Sequence, residues 1–83
     1  MELSTHAITK LEIYSIDLDI LYESLKKPLL ELYDREEHSL IKIIKVNEIP
    51  FVCVFSIETN KMITIYRTDN LTINNRRNSK RWT

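Results

Sequence analysis

Apolar residues recur at helical spacing through the first part of the chain and change to alternation after Pro28, which predicts two helices followed by strands. Ser4 or Thr5 can cap a first helix running to about Tyr14, with Leu3, Ala7, Ile8, Leu11 and Tyr14 forming one apolar stripe. His6 and Lys10, four apart, share the edge of that stripe. Asp17 is placed to cap a second helix, Leu18 to Lys27, with Leu18, Leu21, Tyr22 and Leu25 inward and Glu23 and Lys27 free to pair outside. Pro28 ends it.

Beyond Pro28, Leu29 to Asp34 reads as a short strand, Arg35 to His38 as a charged turn, and Leu40 to Val46 as a β-branched strand. Asn47-Glu48 supplies the next turn, with asparagine taking the left-handed conformation that glycine would otherwise supply. Phe51 to Ile57 sets Phe51, Cys53, Phe55 and Ile57 on one face and Val52 and Val54 on the other, the signature of a central strand. Thr59-Asn60-Lys61 then turns the chain into Met62 to Tyr66. These elements predict an α+β domain: two N-terminal helices packed on a three- or four-stranded antiparallel sheet, spanning residues 1–66.

Eighty-three residues supply a modest two-layer core, so any site is expected to be an open surface groove. The chain contains no glycine, which removes the Walker and Rossmann phosphate-cradling loops, and no cofactor is expected. Its two histidines, His6 and His38, belong to no ligand cluster, so no metal is expected either. Cys53 lies inside an apolar run and reads as a small buried hydrophobe. That run, Ile49 to Phe55, is far shorter than the roughly 20 residues of a membrane span. With no basic n-region at its start, the chain reads as cytoplasmic, with no membrane partner.

Charge is unevenly distributed along the chain. The formal net charge is zero, yet residues 67–83 carry Arg67, Arg76, Arg77, Lys80 and Arg81 against Asp69 alone. This basic segment, rich in asparagine and tipped by Trp82, reads as a C-terminal tail that offers cations to phosphates, amides to bases and one stacking ring. The alternatives are a solvated end, and a tryptophan that packs back on its own domain. Nucleic acid and an acidic protein are the partners that such a tail suits.

The order Ser4-x-His6-Ala7, helix pair, Pro28, Tyr33-Asp34, β-branched hairpin and Ile63-Thr64-Ile65-Tyr66 resembles a group of small prokaryotic domains related to the RelE, ParE and BrnT toxins. The resemblance covers roughly residues 3 to 66 and implies a barnase-, colicin- and RelE-like ribonuclease fold, with helices on one sheet face and RNA across the other. The chain departs from the pattern in having Lys10 where an arginine usually stands and Tyr14-Ser15 in place of an Arg-Gly pair.

The implied activity is that of a metal-independent endoribonuclease of a toxin-antitoxin system, cleaving by attack of the RNA 2′-hydroxyl. Such chemistry needs a base for that hydroxyl and cations for the phosphorane. His6, at the pattern's histidine position, is the candidate base, or else a residue that packs or caps; Lys10 is either a phosphorane stabiliser or a solubilising lysine. Arg67, directly after the last strand, is either a phosphate clamp or a surface ion-pair partner. Lys42 and Lys45 interrupt a strand on opposite faces as snorkelling edge residues or parts of a basic strip, and Arg76, Arg77, Lys80, Arg81 and Trp82 complete the candidate RNA-binding set. An antitoxin with acidic character is the expected protein partner, and self-association is compatible with the sequence. The alternative function is a non-catalytic nucleic-acid- or protein-binding module, including a small inhibitor from a mobile element.

Overall fold

The computed structural model describes all residues from Met1 to Thr83: α1 (Thr5–Ile13), α2 (Leu18–Lys26), β1 (Leu30–Asp34), β2 (Ser39–Val46), β3 (Ile49–Ser56), β4 (Met62–Arg67) and α3 (Asn70–Asn78). The four strands form one antiparallel meander in the order β1-β2-β3-β4. The fold class is therefore α+β, as the change of period at Pro28 predicts. None of the helices is long and apolar enough to cross a membrane.

Local rules account for the joints. Ser4 caps α1 by accepting from the Ala7 amide at 2.9 Å, while its own hydroxyl donates to the Ile63 carbonyl at 2.6 Å. The helix ends in a Schellman turn: Ser15 has φ 56°, its amide donates to Glu12 and the Ile16 amide donates to Leu11. In a chain without glycine, Ser15, His38, Asn47, Glu48, Asn60 and Lys80 all occupy the left-handed region. Asn47 and Glu48 do so in succession, the geometry of a type I′ hairpin, and Asn47 is the residue type expected there.

Alternation along β3 sorts the core into two. Phe51, Cys53 and Phe55 join Ala7, Leu11, Ile16, Leu21, Ile44, Val46, Met62 and Ile65 under α1 and α2. Val52 joins Leu32, Ile41, Ile43, Ile73 and Trp82 on the opposite face, with Val54 and Tyr66 packed against them. Ile57 lies past the strand end and is exposed. On the helices the inward set is narrower than the stripe suggests, because Ile8, Leu18 and Tyr22 are exposed. Glu23 pairs with Lys26 at 3.0 Å rather than with Lys27, which lies past the helix end.

The largest departure lies beyond Tyr66. Arg67 completes β4, and residues 70–78 form a helix that lays Ile73 on the second sheet face. The molecule thus has three layers, with the sheet between a helix pair and a single helix. The segment read as a tail is part of the domain rather than an appendage to residues 1–66. After α3 the chain pairs with the sheet: Trp82 bridges Asp34 antiparallel, the Arg35 amide donates to Arg81, and the Thr83 amide donates to Tyr33. At the opposite edge Leu3 bridges Met62 in parallel. Each outer strand is covered at one end by residues from one end of the chain.

Candidate nucleic-acid interface

The site grows from a single buried carboxylate. Asp34, 2% exposed at the end of β1, accepts through Oδ1 from the amides of Glu36 and Glu37, both at 3.0 Å, and so closes the Arg35–His38 turn. The same carboxylate takes the Nε and Nη2 of Arg81 at 3.2–3.3 Å and the indole Nε1 of Trp82 at 3.0 Å. Burial by itself would raise this acid. The hydrogen bonds from Arg81, the Glu37 amide, Trp82 and the Glu36 amide outweigh burial and hold its pKa at about 2.

These contacts fix the C-terminal side of α3 against the turn. Asp69 caps the helix by accepting from the Thr72 amide at 2.7 Å, and that bond lowers the Asp69 pKa. The spacing 72, 75, 76, 79 puts Thr72, Asn75, Arg76 and Ser79 on one flank, facing Arg35 and Glu36 across an open basin of about 850 Å³. Lys80, turned by its φ of 68°, and Arg81 complete the lining, in which no residue is hydrophobic. Four cations therefore meet one carboxylate, that of Glu36. Arg81 is engaged by Asp34 and by Glu36, the latter at 3.5 Å, while Arg35, Arg76 and Lys80 have no acidic partner. The hydrogen bond to Asp34 is the main cause of a raised Arg81 pKa.

Arg76 also lies over the Trp82 ring, 5.3 Å from its centroid, and its Nε is buried without a hydrogen-bond partner in the protein. The aromatic face holds that guanidinium in place at the edge of the basin. The chain matches no family model, no curated protein and no solved structure.

The structure divides the sequence-based candidates. Arg76, Lys80 and Arg81 meet in the basin; Arg77, on the same helix, is exposed but does not line it. Trp82, 1% exposed, is an anchor rather than a stacking ring. Its indole is consumed by the sheet face beneath, by Arg76 above and by Asp34 at its edge, so no base can reach it without undocking the segment. Lys42 pairs with Glu31 at 3.5 Å and rests over the Phe55 ring at 5.5 Å, whereas Lys45 pairs with Glu48 at 3.8 Å. They form no common strip with the basin.

His6 and Lys10 share one side of α1, in the layer across the sheet from α3. Ser4 ties the start of α1 to Met62 and Ile63, and Arg67 ends the same strand five residues on, roughly 16 Å along its axis. No hydrogen bond or ion pair links His6, Lys10 and Arg67 to one another, and none of them lines the basin. His38 meets the Tyr33 hydroxyl at 3.1 Å. Cys53 is fully buried, and burial pushes its thiol up to about 12, which keeps it from acting as a nucleophile. The sequence reading missed Arg35, Thr72, Asn75 and Ser79 as basin residues. The one signal for α3 is Asp69 standing three before Thr72 with two arginines seven and eight residues after it.

Proposed function

We propose that this protein is a binding module for single-stranded nucleic acid, RNA in the first instance, and that the basin between α3 and the β1–β2 turn receives the phosphates without cleaving them. The observation that carries this reading is the convergence of Arg35, Arg76 and Lys80, from two separate elements, with no carboxylate of their own to neutralise them. Cations placed so release counterions from a polyanion, whereas paired surface charges contribute little. Thr72, Asn75 and Ser79 add neutral hydrogen-bonding groups along the same flank. The helix C-terminus nearby has partial negative charge, which the cluster must outweigh, so modest affinity with strong salt dependence is expected.

The helix pair followed by an antiparallel meander is compatible with the RelE-like ancestry that the motif order suggests, and that relationship is part of the proposal. Binding is favoured over cleavage because the one place where unpaired cations gather contains no histidine, while His6 sits in the opposite layer.

The test is a salt titration of binding to a fluorescent oligouridylate. Arg76→Ala and Lys80→Ala should each flatten the plot of log affinity against log salt by about one unit of slope or slightly less, while Lys26→Ala on α2 leaves it unchanged. The RNA should be recovered intact. Equal slopes in all four proteins would reject the basin as the phosphate site, and shortened RNA would reinstate the nuclease.

A further inference from the structure

Beside the basin, on the same sheet face as α3, lies a second cavity of about 330 Å³. Val54 gives it an apolar lining, and Tyr66 on β4 presents a half-buried ring. Residues with polar side chains from three elements line it: Ser39 from β2, Thr64 and Tyr66 from β4, and Glu37 from the turn. Ser39 is only 4% exposed, and its Oγ has no hydrogen-bond partner. A buried hydroxyl left unsatisfied is costly, so an unused one beside a cavity points to something that occupies the cavity. Burial raises the Tyr66 pKa, so its phenol stays a hydrogen-bond donor at neutral pH. The Glu37 carboxylate forms no ion pair.

Arg81 lines both this cavity and the basin. A ligand spanning the two would therefore put a phosphate on one side of Arg81 and a neutral, planar group on the other. We infer that the cavity is a nucleobase pocket, which rests on the basin as phosphate site and narrows the ligand to a strand whose bases are unpaired. A base has an apolar face to lie against Val54 and Tyr66 and a rim of donors and acceptors for Ser39, Thr64 and Glu37. A base held in a duplex is paired and stacked and cannot turn into the cavity, so duplexes are excluded from this site. A free carboxylate is an acceptor only, and Glu37 therefore favours bases that present amino or imino hydrogens.

Uncharged nucleosides test the pocket without the phosphates. Adding each of the four common ribonucleosides to the full chain should shift the backbone amides of Ser39, Thr64 and Tyr66, to different extents for different bases. Thr64→Val removes one hydrogen bond at constant shape and should weaken the strongest-binding nucleoside about three- to tenfold. Glu37→Gln, which replaces one acceptor with a donor, should change the order of preference. Lys26→Ala, on α2, should leave the nucleoside titration unchanged. The pocket is rejected if no nucleoside moves these amides, as in a cavity that holds only water, or if Thr64→Val and Glu37→Gln bind as the parent does. If nucleosides bind while oligonucleotide affinity shows no salt slope that depends on Arg76, the pocket stands and the phosphate basin falls. The reverse result rejects the pocket alone.

Discussion

Under α1 and α2 the sheet buries eleven residues of which none but the Cys53 thiol has a polar side-chain atom able to donate, whereas the α3 face buries six, Trp82 among them, and requires that indole to meet a carboxylate and a guanidinium in one arrangement. The first face is stabilised in proportion to apolar area, a term that is non-directional and indifferent to pH. The second depends on a few charged hydrogen bonds whose loss strands a buried carboxylate. One face should tolerate repacking within constant volume, and the other should not tolerate the removal of any one partner. The candidate binding site lies on the second face, so the device that docks α3 also shapes the basin.

Removing the indole should have the largest effect. Trp82→Ala loses a fully buried ring and a hydrogen bond to Asp34, at a cost of about 3–5 kcal/mol. Hydrogen exchange of the variant should show α3 and residues 79–83 losing protection first while α1 and α2 amides stay slow. Equal loss on both sides would mean that the two faces unfold as one unit, and the contrast between them would be structural only. Leu21→Ala, with its side chain wholly buried on the helix-pair face, should cost about 2–5 kcal/mol by denaturant titration. It should leave the salt slope of RNA binding unchanged; a flattened slope would show that the two faces communicate.

Acid should separate the faces by a smaller margin. Asp34 has an ordinary carboxylate pKa near 3.8 when unfolded and about 2 when folded, so the unfolded chain binds its proton first. Its contribution is complete above pH 3.8 and disappears as the pH falls through about 2. Allowing for the solvent that reaches the partly exposed Arg81, the loss amounts to about 1–2 kcal/mol. Tryptophan fluorescence between those two limits should report it, and Asp34→Asn should abolish that part of the acid transition. An unchanged transition in the variant would assign it to other carboxylates.

The smallest effects concern the left-handed positions. Ser15→Gly at the end of α1 and Lys80→Gly after α3 each relieve a Cβ clash worth about 1 kcal/mol and lose part of it to the freer unfolded chain. Both should raise the melting temperature slightly, and only Lys80→Gly should weaken RNA binding. A melting temperature lowered by either would show that the side chain makes contacts that outweigh its strain.

Much of the helix-pair face is legible in the sequence, because period two in residues 51–55 and period 3.6 in residues 3–14 each report which side is buried. The α3 face is not. Residues 70–83 hold two buried apolar positions, Ile73 and Trp82, among asparagines that disfavour helix, so their order comes from the Asp69 cap, the turn at Lys80 and docking onto Asp34. Arg76, Lys80 and Arg81 were visible as charge, but their assembly with Arg35 depends on a hydrogen-bonded turn more than forty residues away in sequence. His6 and Arg67 fit a chemical pattern by type, but that pattern does not encode the basin, which neither of them lines.

The span from Asp34 to Arg81 and Trp82 has a consequence during synthesis. The hairpins of the sheet pair residues close in sequence and can form early, but the Asp34 carboxylate receives its side-chain partners from positions 47 and 48 residues later. Until Trp82 has left the ribosome, Ile41, Ile43 and Val52 remain an uncovered apolar sheet face. A nascent chain halted before Arg81 would carry a bare hydrophobic surface and an unanswered acid, two marks by which chaperones and proteases distinguish unfinished products from finished ones.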